Sequence, residues 1–111
     1  MKLREFAEEL NLEIVTERTA GDMELSSVYS CDLLSRVMSK GKKNGMWITV
    51  LAHLNIVAVA QLVELACIVI PESIDIPPET IAKANEEGIT IFSSPMTGYE
   101  ISWRVHQLAG I

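Results

Sequence analysis

The sequence predicts an α/β fold, a three-layer α/β/α sandwich around a mostly parallel sheet of about five strands. Two observations predict it. Short segments rich in β-branched residues alternate with helical patterns along the chain, and residues 46–70 have the strand–helix–strand order of a βαβ crossover. At 111 residues the chain has the length of one domain, so we expect residues 1–111 to form a single domain.

The predicted elements of the first half are, in order, a helix over 3–10, strands over 12–15 and 26–30, a helix over 32–38 and a strand over 46–50. The first helix follows from apolar residues at helical spacing, with charged residues on its other face. Asp32 is placed to cap the second helix. The polar loop 16–25 is too short for a helical crossover, so we expect the first two strands to form an antiparallel edge.

The predicted elements of the second half are a helix over 56–65, a strand over 66–70, a helix over 77–87, a strand over 89–92 and a last helix opened by Thr97. Asn55 can cap the first of these helices. Gly88 follows the last turn of the second, and Thr97 and Glu100 have the spacing of a capping box. Strands and helices that alternate in this way build a layered domain with parallel strands at its centre.

Segment 46–63 carries no charged residue and is long enough to cross a bilayer. A membrane helix would place His53, Asn55 and Gln61 in hydrocarbon, however, and the β-branched and aromatic residues that open the segment favour a strand. The net charge of −6 argues against a broad basic surface for nucleic acid. We therefore expect a soluble protein that binds neither a membrane nor nucleic acid.

The two cysteines, Cys31 and Cys67, lie far apart in apolar or strand-like segments, which predicts two buried, reduced thiols and a cytoplasmic location. Two thiols cannot form a four-thiolate cluster, and no Cys-x-x-Cys or His-x-Cys spacing indicates zinc. No phosphate-binding loop motif occurs, and no base can be assigned to a serine nucleophile. We expect no cofactor, no metal site and no catalytic residue, and hence a protein that is not an enzyme.

Three stretches resemble the DRTGG domain family: CDLLSRVM (31–38), WITVLAHLNIVAVA (47–60) and SSPMTGYE (93–100). The second is the most specific, because a His-x-Asn between a buried strand and a helix is not dictated by the fold alone. The resemblance covers nearly the whole chain and is strongest to stand-alone members. Segment 22–27 corresponds to the motif that names the family, with Met23 where Arg is expected and Ser26-Ser27 in place of Thr-Gly.

DRTGG domains occur in the N-terminal part of HPr kinase/phosphorylase-like proteins, in some phosphotransacetylases and beside CBS domains in certain pyrophosphatases. The resemblance implies an α/β/α domain that dimerises and serves regulation or ligand sensing, without kinase activity. Some stand-alone members are associated with iron-hydrogenase systems. Two functions therefore remain open: a homodimeric module that senses an adenine nucleotide or another small anion, and a passive accessory module that holds a partner enzyme.

The candidate ligand-binding residues follow the predicted parallel strands, because ligands of such sheets gather beyond the carboxyl ends of the strands. They are Asp32, His53, Asn55, Ser94 and Thr97. Each also has a structural alternative, as a helix cap, as a hydrogen-bonded residue at a strand end or as part of a turn.

A locally basic segment lies between residues 33 and 63. Its basic residues are Arg36, Lys40, Lys42 and Lys43, and it contains no acidic residue. One interpretation is a set of cations at a helix C-terminus and in a solvated loop. The other is an anion site, in which the loop lysines reach a phosphate at the N-terminus of the helix that follows Asn55.

A homodimer is also expected from two of the predicted helices. In helix 56–65 only Gln61 and Glu64 are polar, so either flanking helices or a second chain must cover its remaining apolar faces. In the last helix, Trp103 falls outside the face that Ile101 and Val105 share, as an aromatic interface anchor would.

Overall fold

The computed structural model describes residues 1–17 and 21–111, so residues 18–20 of the predicted loop 16–25 lie outside the described residues. The helices are α1 (Leu3–Glu9), α2 (Leu34–Lys40), α3 (Asn55–Val63), α4 (Pro78–Glu87) and α5 (Gly98–Ala109). The strands are β1 (Glu13–Ile14), β2 (Val28–Ser30), β3 (Met46–Ile48), β4 (Cys67–Ile70) and β5 (Ile91–Ser93). The predicted α/β fold class, a three-layer sandwich around a mostly parallel sheet, is confirmed.

The sheet has the strand order β1-β5-β4-β3-β2. The strands β2 to β5 are parallel and lie side by side in chain order, each joined to the next by a helix. β1 is antiparallel as predicted, but it pairs with β5, where Glu13 faces Ser93. The expected pairing of the first two strands is therefore wrong, because the loop between them carries the chain to the opposite edge of the sheet.

Alternating side chains of the strands pack into two cores, one on each face of the sheet. Trp47 of β3 packs with residues of α2, α3 and α4, whereas its neighbours Met46 and Ile48 pack with residues of α1 and α5. Trp47 also donates a hydrogen bond from Nε1 to the Cys31 carbonyl at 2.8 Å, which fixes the largest buried side chain to the end of β2. The two helical layers thus explain why the central strands are apolar on both faces.

The long uncharged segment divides into β3 and α3, as predicted. Within the described residues, no helix has the length and apolar character needed to span a bilayer. α3 lies in the middle of its layer between α2 and α4, and these two helices cover most of its apolar excess. Val59 is only 6% exposed, and Leu62, at 69%, is the large apolar side chain that α3 leaves in solvent. Of the two alternatives left open by the sequence, flanking helices therefore account for most of the burial of α3.

The helix ends confirm some of the predicted caps and correct others. Gly88 ends α4 with a φ of 73°, and Thr97 Oγ1 accepts a hydrogen bond from the Glu100 N–H at 3.1 Å. Asn55 is not a cap, because α3 begins at that residue, and Asp32 is not a cap, because α2 begins after Leu33. The Asp32 carboxylate instead accepts hydrogen bonds from the residues that follow β3.

The two thiols differ in burial. Both cysteines are free; Cys67 is fully buried in β4, as predicted, whereas Cys31 is only half-buried. Burial raises the pKa of the Cys67 thiol far above its ordinary range, because the thiolate would lose its hydration.

Candidate functional site

The loops of the parallel sheet form two opposite surfaces. We call the surface at the carboxyl ends of β2 to β5 the carboxyl edge; it comprises residues 31–33, 49–54, 71–77 and 94–97 together with the first turn of α5. We call the surface at the amino ends of these strands the amino edge; it comprises residues 22–27, 41–45, 64–66 and 88–90.

Asp32 ties the end of β2 to the end of β3 at the carboxyl edge. Its Oδ1 accepts hydrogen bonds from Thr49 Oγ1 at 2.8 Å and from the Val50 N–H at 2.9 Å. Thr49 is buried and also accepts a bond from the Leu51 N–H at 3.1 Å, so the chain leaving β3 is fixed. Both bonds to Asp32 use Oδ1, which leaves Oδ2 as the atom available to a ligand.

A tight turn follows β4 and carries the second carboxylate of this edge. Glu72 and Ser73 both adopt left-handed backbone conformations, with φ of 61° and 53°, and the Ile74 N–H closes the turn onto the Pro71 carbonyl at 3.3 Å. A type I′ turn requires positive φ of this kind at its two central positions, which are usually filled by Gly or Asn. The Glu72 and Ser73 N–H groups donate to carbonyls of the loop after β5, which holds the turn in place.

A pocket of about 140 Å³ opens between these groups and α5. Its lining residues are Ser30, Asp32, Ile48, Thr49, Val50, Pro71, Glu72 and Gly98. Gly98 is the first residue of α5, and the N–H groups of Gly98 and Tyr99 have no partner inside the helix. The lining thus includes two acidic residues and the first residue of a helix, whose N-terminal end is positive.

Exposed apolar side chains lie at the carboxyl edge and in the first turn of α5. Val50 lines it, Leu33 and Tyr99 are the chain neighbours of the lining residues Asp32 and Gly98, and Leu54 ends the loop that follows Val50. Tyr99 is 71% exposed and Leu33 is 57% exposed. We call these four residues the apolar rim. A rim of this kind around polar groups is typical of surfaces that bind another molecule.

The predicted ligand residues lie at the carboxyl edge, but only one of them lines the pocket. Asp32 does so, whereas His53 and Asn55 are exposed outside it. Ser94 is buried, and its Oγ accepts the Met96 N–H at 3.1 Å, as the turn alternative predicts. Thr97 caps α5 immediately before the lining residue Gly98.

Three polar lining residues, Ser30, Thr49 and Glu72, were not named as candidate ligand residues, although segment 72–73 was expected at the carboxyl ends of the strands. Glu72 follows the proline that ends β4, which is a signal for a position at the carboxyl edge. Nothing local in the sequence indicates that Thr49 bonds to Asp32, because that contact joins two neighbouring strands.

The basic segment does not form the anion site that one interpretation predicted. Lys43 Nζ lies 3.4 Å from Glu64 Oε2, and the Asn44 N–H donates to the Glu64 carbonyl at 2.9 Å. Glu64 follows the C-terminus of α3, so the loop lysines lie at the end of that helix opposite Asn55. The other interpretation, cations near helix C-termini and in a solvated loop, is consistent with this geometry.

The counterpart of the family motif, segment 22–27, also lies at the amino edge. Asp22 Oδ1 accepts a bond from Arg4 Nη1 at 2.7 Å, and Ser26 Oγ donates to the Lys43 carbonyl at 2.7 Å. These bonds brace the segment against α1 and the loop before β3, at the end of the sheet away from the pocket.

A second cavity, of about 390 Å³, lies between α1 and β1 and is largely apolar. It is lined by Leu3, Arg4, Ala7, Glu8, Asn11, Leu12, Ile14, Gly21 and Phe92. Although it is the larger of the two, its Arg4 is already paired with Asp22, and one of its lining residues, Gly21, is the first described residue after the gap in the chain. We assign no site to it.

No protein-family model and no curated protein sequence matches the chain. Among solved structures, it is similar to the regulatory region of Clostridium perfringens pyrophosphatase, whose CBS and DRTGG domains were crystallised with the activator diadenosine tetraphosphate. The TM-score is 0.69 at 16% identity, and the match covers 92% of this chain and 44% of that one. The chain therefore has a DRTGG-type fold and spans less than half the length of the chain it resembles.

Proposed function

We propose that the protein is a non-catalytic regulatory module that senses a small ligand at its carboxyl edge and acts as a homodimer in the cytoplasm. In this proposal residues 1–111 are a single DRTGG-like domain. The observation that carries it is the pocket that Asp32, Glu72 and Gly98, the first residue of α5, line together. The occurrence of this fold in the regulatory region of an enzyme supports a regulatory role.

An adenine nucleotide is the ligand class that this pocket favours. Its ribose hydroxyls can donate to the carboxylates of Asp32 and Glu72, as ribose does to acidic residues in dinucleotide-binding folds. Its phosphate can accept from the free N–H groups of Gly98 and Tyr99, since helix N-termini attract anions. The adenine ring can pack on the apolar rim.

The size and charge of the pocket restrict how the nucleotide lies. At about 140 Å³ the pocket is smaller than the roughly 300 Å³ at which sites for whole ligands begin, so it can hold only part of a nucleotide. Because both acidic side chains repel phosphate, the phosphate must lie on the side of α5 and the ribose on the side of Asp32. The activator named with the pyrophosphatase region is itself a diadenosine compound, which supports this ligand class.

Isothermal titration calorimetry with AMP, ADP, ATP and diadenosine tetraphosphate tests the proposal. We expect saturable heat with at least one of them, and about tenfold weaker binding after Asp32→Asn or Glu72→Gln, because each change removes a charged acceptor. Asp32→Asn keeps an oxygen for Thr49 and Val50. Glu79→Gln, on α4 outside the pocket, is the matched control and keeps the wild-type affinity.

Two results would contradict parts of the proposal. If none of the four nucleotides gave heat at millimolar concentration, an adenine nucleotide would be excluded as the ligand. Magnesium-dependent ATP turnover that purifies with the chain and disappears in Asp32→Asn would show that the module is catalytic.

A passive accessory module that holds a partner enzyme is the second candidate, and the outward face of α5 favours it. Tyr99 and Trp103 lie four residues apart on the side of α5 away from the buried Ile101 and Val105, and Trp103 is 44% exposed. The Arg104 guanidinium lies 5.2 Å from the Trp103 ring centre, which holds the indole on the surface. A dimer that binds none of the four nucleotides would favour this candidate.

A further inference from the structure

Gly98 is a glycine that the fold itself does not require. It is the first helical residue of α5, and its φ is not left-handed, so its backbone conformation is open to other residues. A Cβ built on it would lie 3.6 Å from its nearest neighbour, which is an ordinary van der Waals distance. Glycine also lowers the stability of a helix relative to alanine. Stability alone would therefore favour alanine at this position.

Other glycines of the chain have a structural reason that Gly98 lacks. A Cβ would lie 2.6 Å from a backbone carbonyl oxygen at Gly41 and 2.8 Å from one at Gly45, so neither position has room for a side chain. Gly88 ends α4 with a left-handed φ. In these three places the local structure needs a glycine, whereas the reason for Gly98 must lie elsewhere.

A side chain at position 98 would stand in the pocket of the carboxyl edge. Outside its own helix, the atoms that a Cβ would meet within 4 Å are Ile48 Cγ2 at 3.6 Å and Ser30 Oγ at 3.9 Å. Both residues line the pocket together with Gly98. A methyl group here would therefore take space from a pocket of only about 140 Å³ without displacing a protein atom.

The hydrogen-bond donors left for a phosphate lie next to this position. No basic side chain lines the pocket, and the Thr49 hydroxyl and the Val50 N–H already donate to Asp32. The Ser30 hydroxyl and the N–H groups at the start of α5 remain. A Cβ at Gly98 would lie close to the first and would share its Cα with one of the second.

We propose that Gly98 is a specificity-determining residue, whose missing side chain leaves the room in which a phosphate of the nucleotide reaches the start of α5. Main-chain donors bind an anion where the backbone approaches it closely, and glycine permits that approach. This inference rests on the nucleotide site of the proposed function. It adds the residue by which that site selects a phosphorylated nucleoside over the nucleoside.

Asp32 and Glu72 cannot supply this selectivity. Their proposed partners, the ribose hydroxyls, are present in adenosine as well as in its phosphates, and a carboxylate repels a phosphate. A preference for the phosphorylated form must therefore come from the donors beside Gly98.

Isothermal titration calorimetry tests the inference with adenosine and with whichever of AMP, ADP, ATP and diadenosine tetraphosphate binds most tightly. The wild type should bind this nucleotide about tenfold or more tightly than adenosine, since the phosphate adds hydrogen bonds to a charged group. Gly98→Ala should weaken the nucleotide by about tenfold and change the affinity for adenosine by less than about twofold. Gly110→Ala, at the other end of α5, is the matched control: its Cβ meets nothing within 4 Å, and both affinities should be those of the wild type.

Thermal unfolding of the same variants separates an effect on the ligand from an effect on the fold. Gly98→Ala should unfold at the wild-type temperature or above it, and a lower temperature would show that the fold needs this glycine and would overturn the inference. Wild-type affinity of Gly98→Ala for the nucleotide, or an equal loss for the nucleotide and adenosine, would also overturn it, while the proposed function stands. If the wild type bound none of the nucleotides, both would be overturned.

Discussion

The two ends of the sheet use their polar residues differently. At the amino edge they bond to one another: Ser26 bonds to Lys43, Lys43 pairs with Glu64, and the backbone of Asn44 bonds to both Ser26 and Glu64. At the carboxyl edge Asp32 and Glu72 line an open pocket, and neither pairs with a cation among the described residues.

The amino edge is thus stabilised by its own polar contacts, and in the proposed function the carboxyl edge is the end that meets another molecule. Polar groups that satisfy each other stabilise the fold, whereas charged groups left facing a pocket favour a ligand. A left-handed backbone at two successive non-glycine residues also occurs at the carboxyl edge, in the turn of Glu72 and Ser73. The amino edge has a left-handed glutamate as well, Glu64 with φ of 60°, so the feature peculiar to the carboxyl edge is the succession of two such residues.

The largest effect on stability is expected when a methyl group is added at the amino edge, and the same addition at the carboxyl edge is the comparison. A Cβ at Gly45, at the amino edge, would lie 2.8 Å from both the Lys42 carbonyl oxygen and Ser27 Oγ, so Gly45→Ala should lower the free energy of unfolding by about 2 kcal/mol. A Cβ at Gly98, at the carboxyl edge, would lie 3.6 Å from Ile48 Cγ2, an ordinary contact. Gly98→Ala should therefore change stability by less than about 1 kcal/mol, in the stabilising direction.

Urea unfolding followed by circular dichroism measures both variants. Equal losses of stability would show that the two edges are packed equally tightly, which would contradict the difference that the structure shows between them.

A smaller effect is expected from relief of backbone strain. Ser73→Gly should raise the free energy of unfolding by about 1 kcal/mol, because a left-handed conformation costs a serine but not a glycine. Asn44, at the amino edge, is also left-handed, with φ of 64°, but asparagine tolerates that conformation. Asn44→Gly should gain less, and the same unfolding measurement compares the two. If Asn44→Gly raised the free energy of unfolding more than Ser73→Gly, the greater backbone strain would lie at the amino edge, and this prediction would be wrong.

The smallest effect is a dependence of stability on pH that originates at the amino end of β4. Burial raises the pKa of Cys67 in the folded state, so the unfolded chain releases this proton at lower pH than the folded chain does. Its contribution to stability is complete below the ordinary thiol pKa and is lost as pH rises above it. Between pH 8 and 9 the loss should be about 0.7 kcal/mol.

Cys67→Ala should remove this pH dependence, and Cys31→Ala, at the half-buried thiol of the carboxyl edge, should keep it. Unfolding titrations at the two pH values measure the difference. The same slope in all three proteins would assign it to another group.

Much of this fold could be predicted from the sequence because its signals are local. The order of strands and helices, the Gly88 and Thr97 helix ends and the division of segment 46–63 all follow from residues close together in the chain. The place of β1 could not be predicted in this way, because its partner β5 is distant in sequence. The burial of α3 could not be predicted either, because it depends on where α2 and α4 pack against it.

The site was predicted less completely for the same reason. The rule that ligands gather at carboxyl ends of strands placed Asp32 at the carboxyl edge, where the structure has it, but the bond between Asp32 and Thr49 depends on the pairing of two neighbouring strands. One interpretation placed the loop lysines at the N-terminus of the helix that follows Asn55, because helix N-termini attract anions. Lys43 in fact meets Glu64 at the opposite end of the intervening helix.

The most direct test of the carboxyl edge as the ligand site is a titration with the adenine nucleotide of highest affinity, followed in the 1H–15N spectrum of the labelled protein. We expect shifts of the amide signals of Asp32, Val50, Glu72, Gly98 and Tyr99 that saturate with the calorimetric affinity. The amides of Ser26, Asn44 and Gly45 at the amino edge should stay in place. Saturable shifts confined to the amino edge, or no shifts at millimolar nucleotide, would contradict the account.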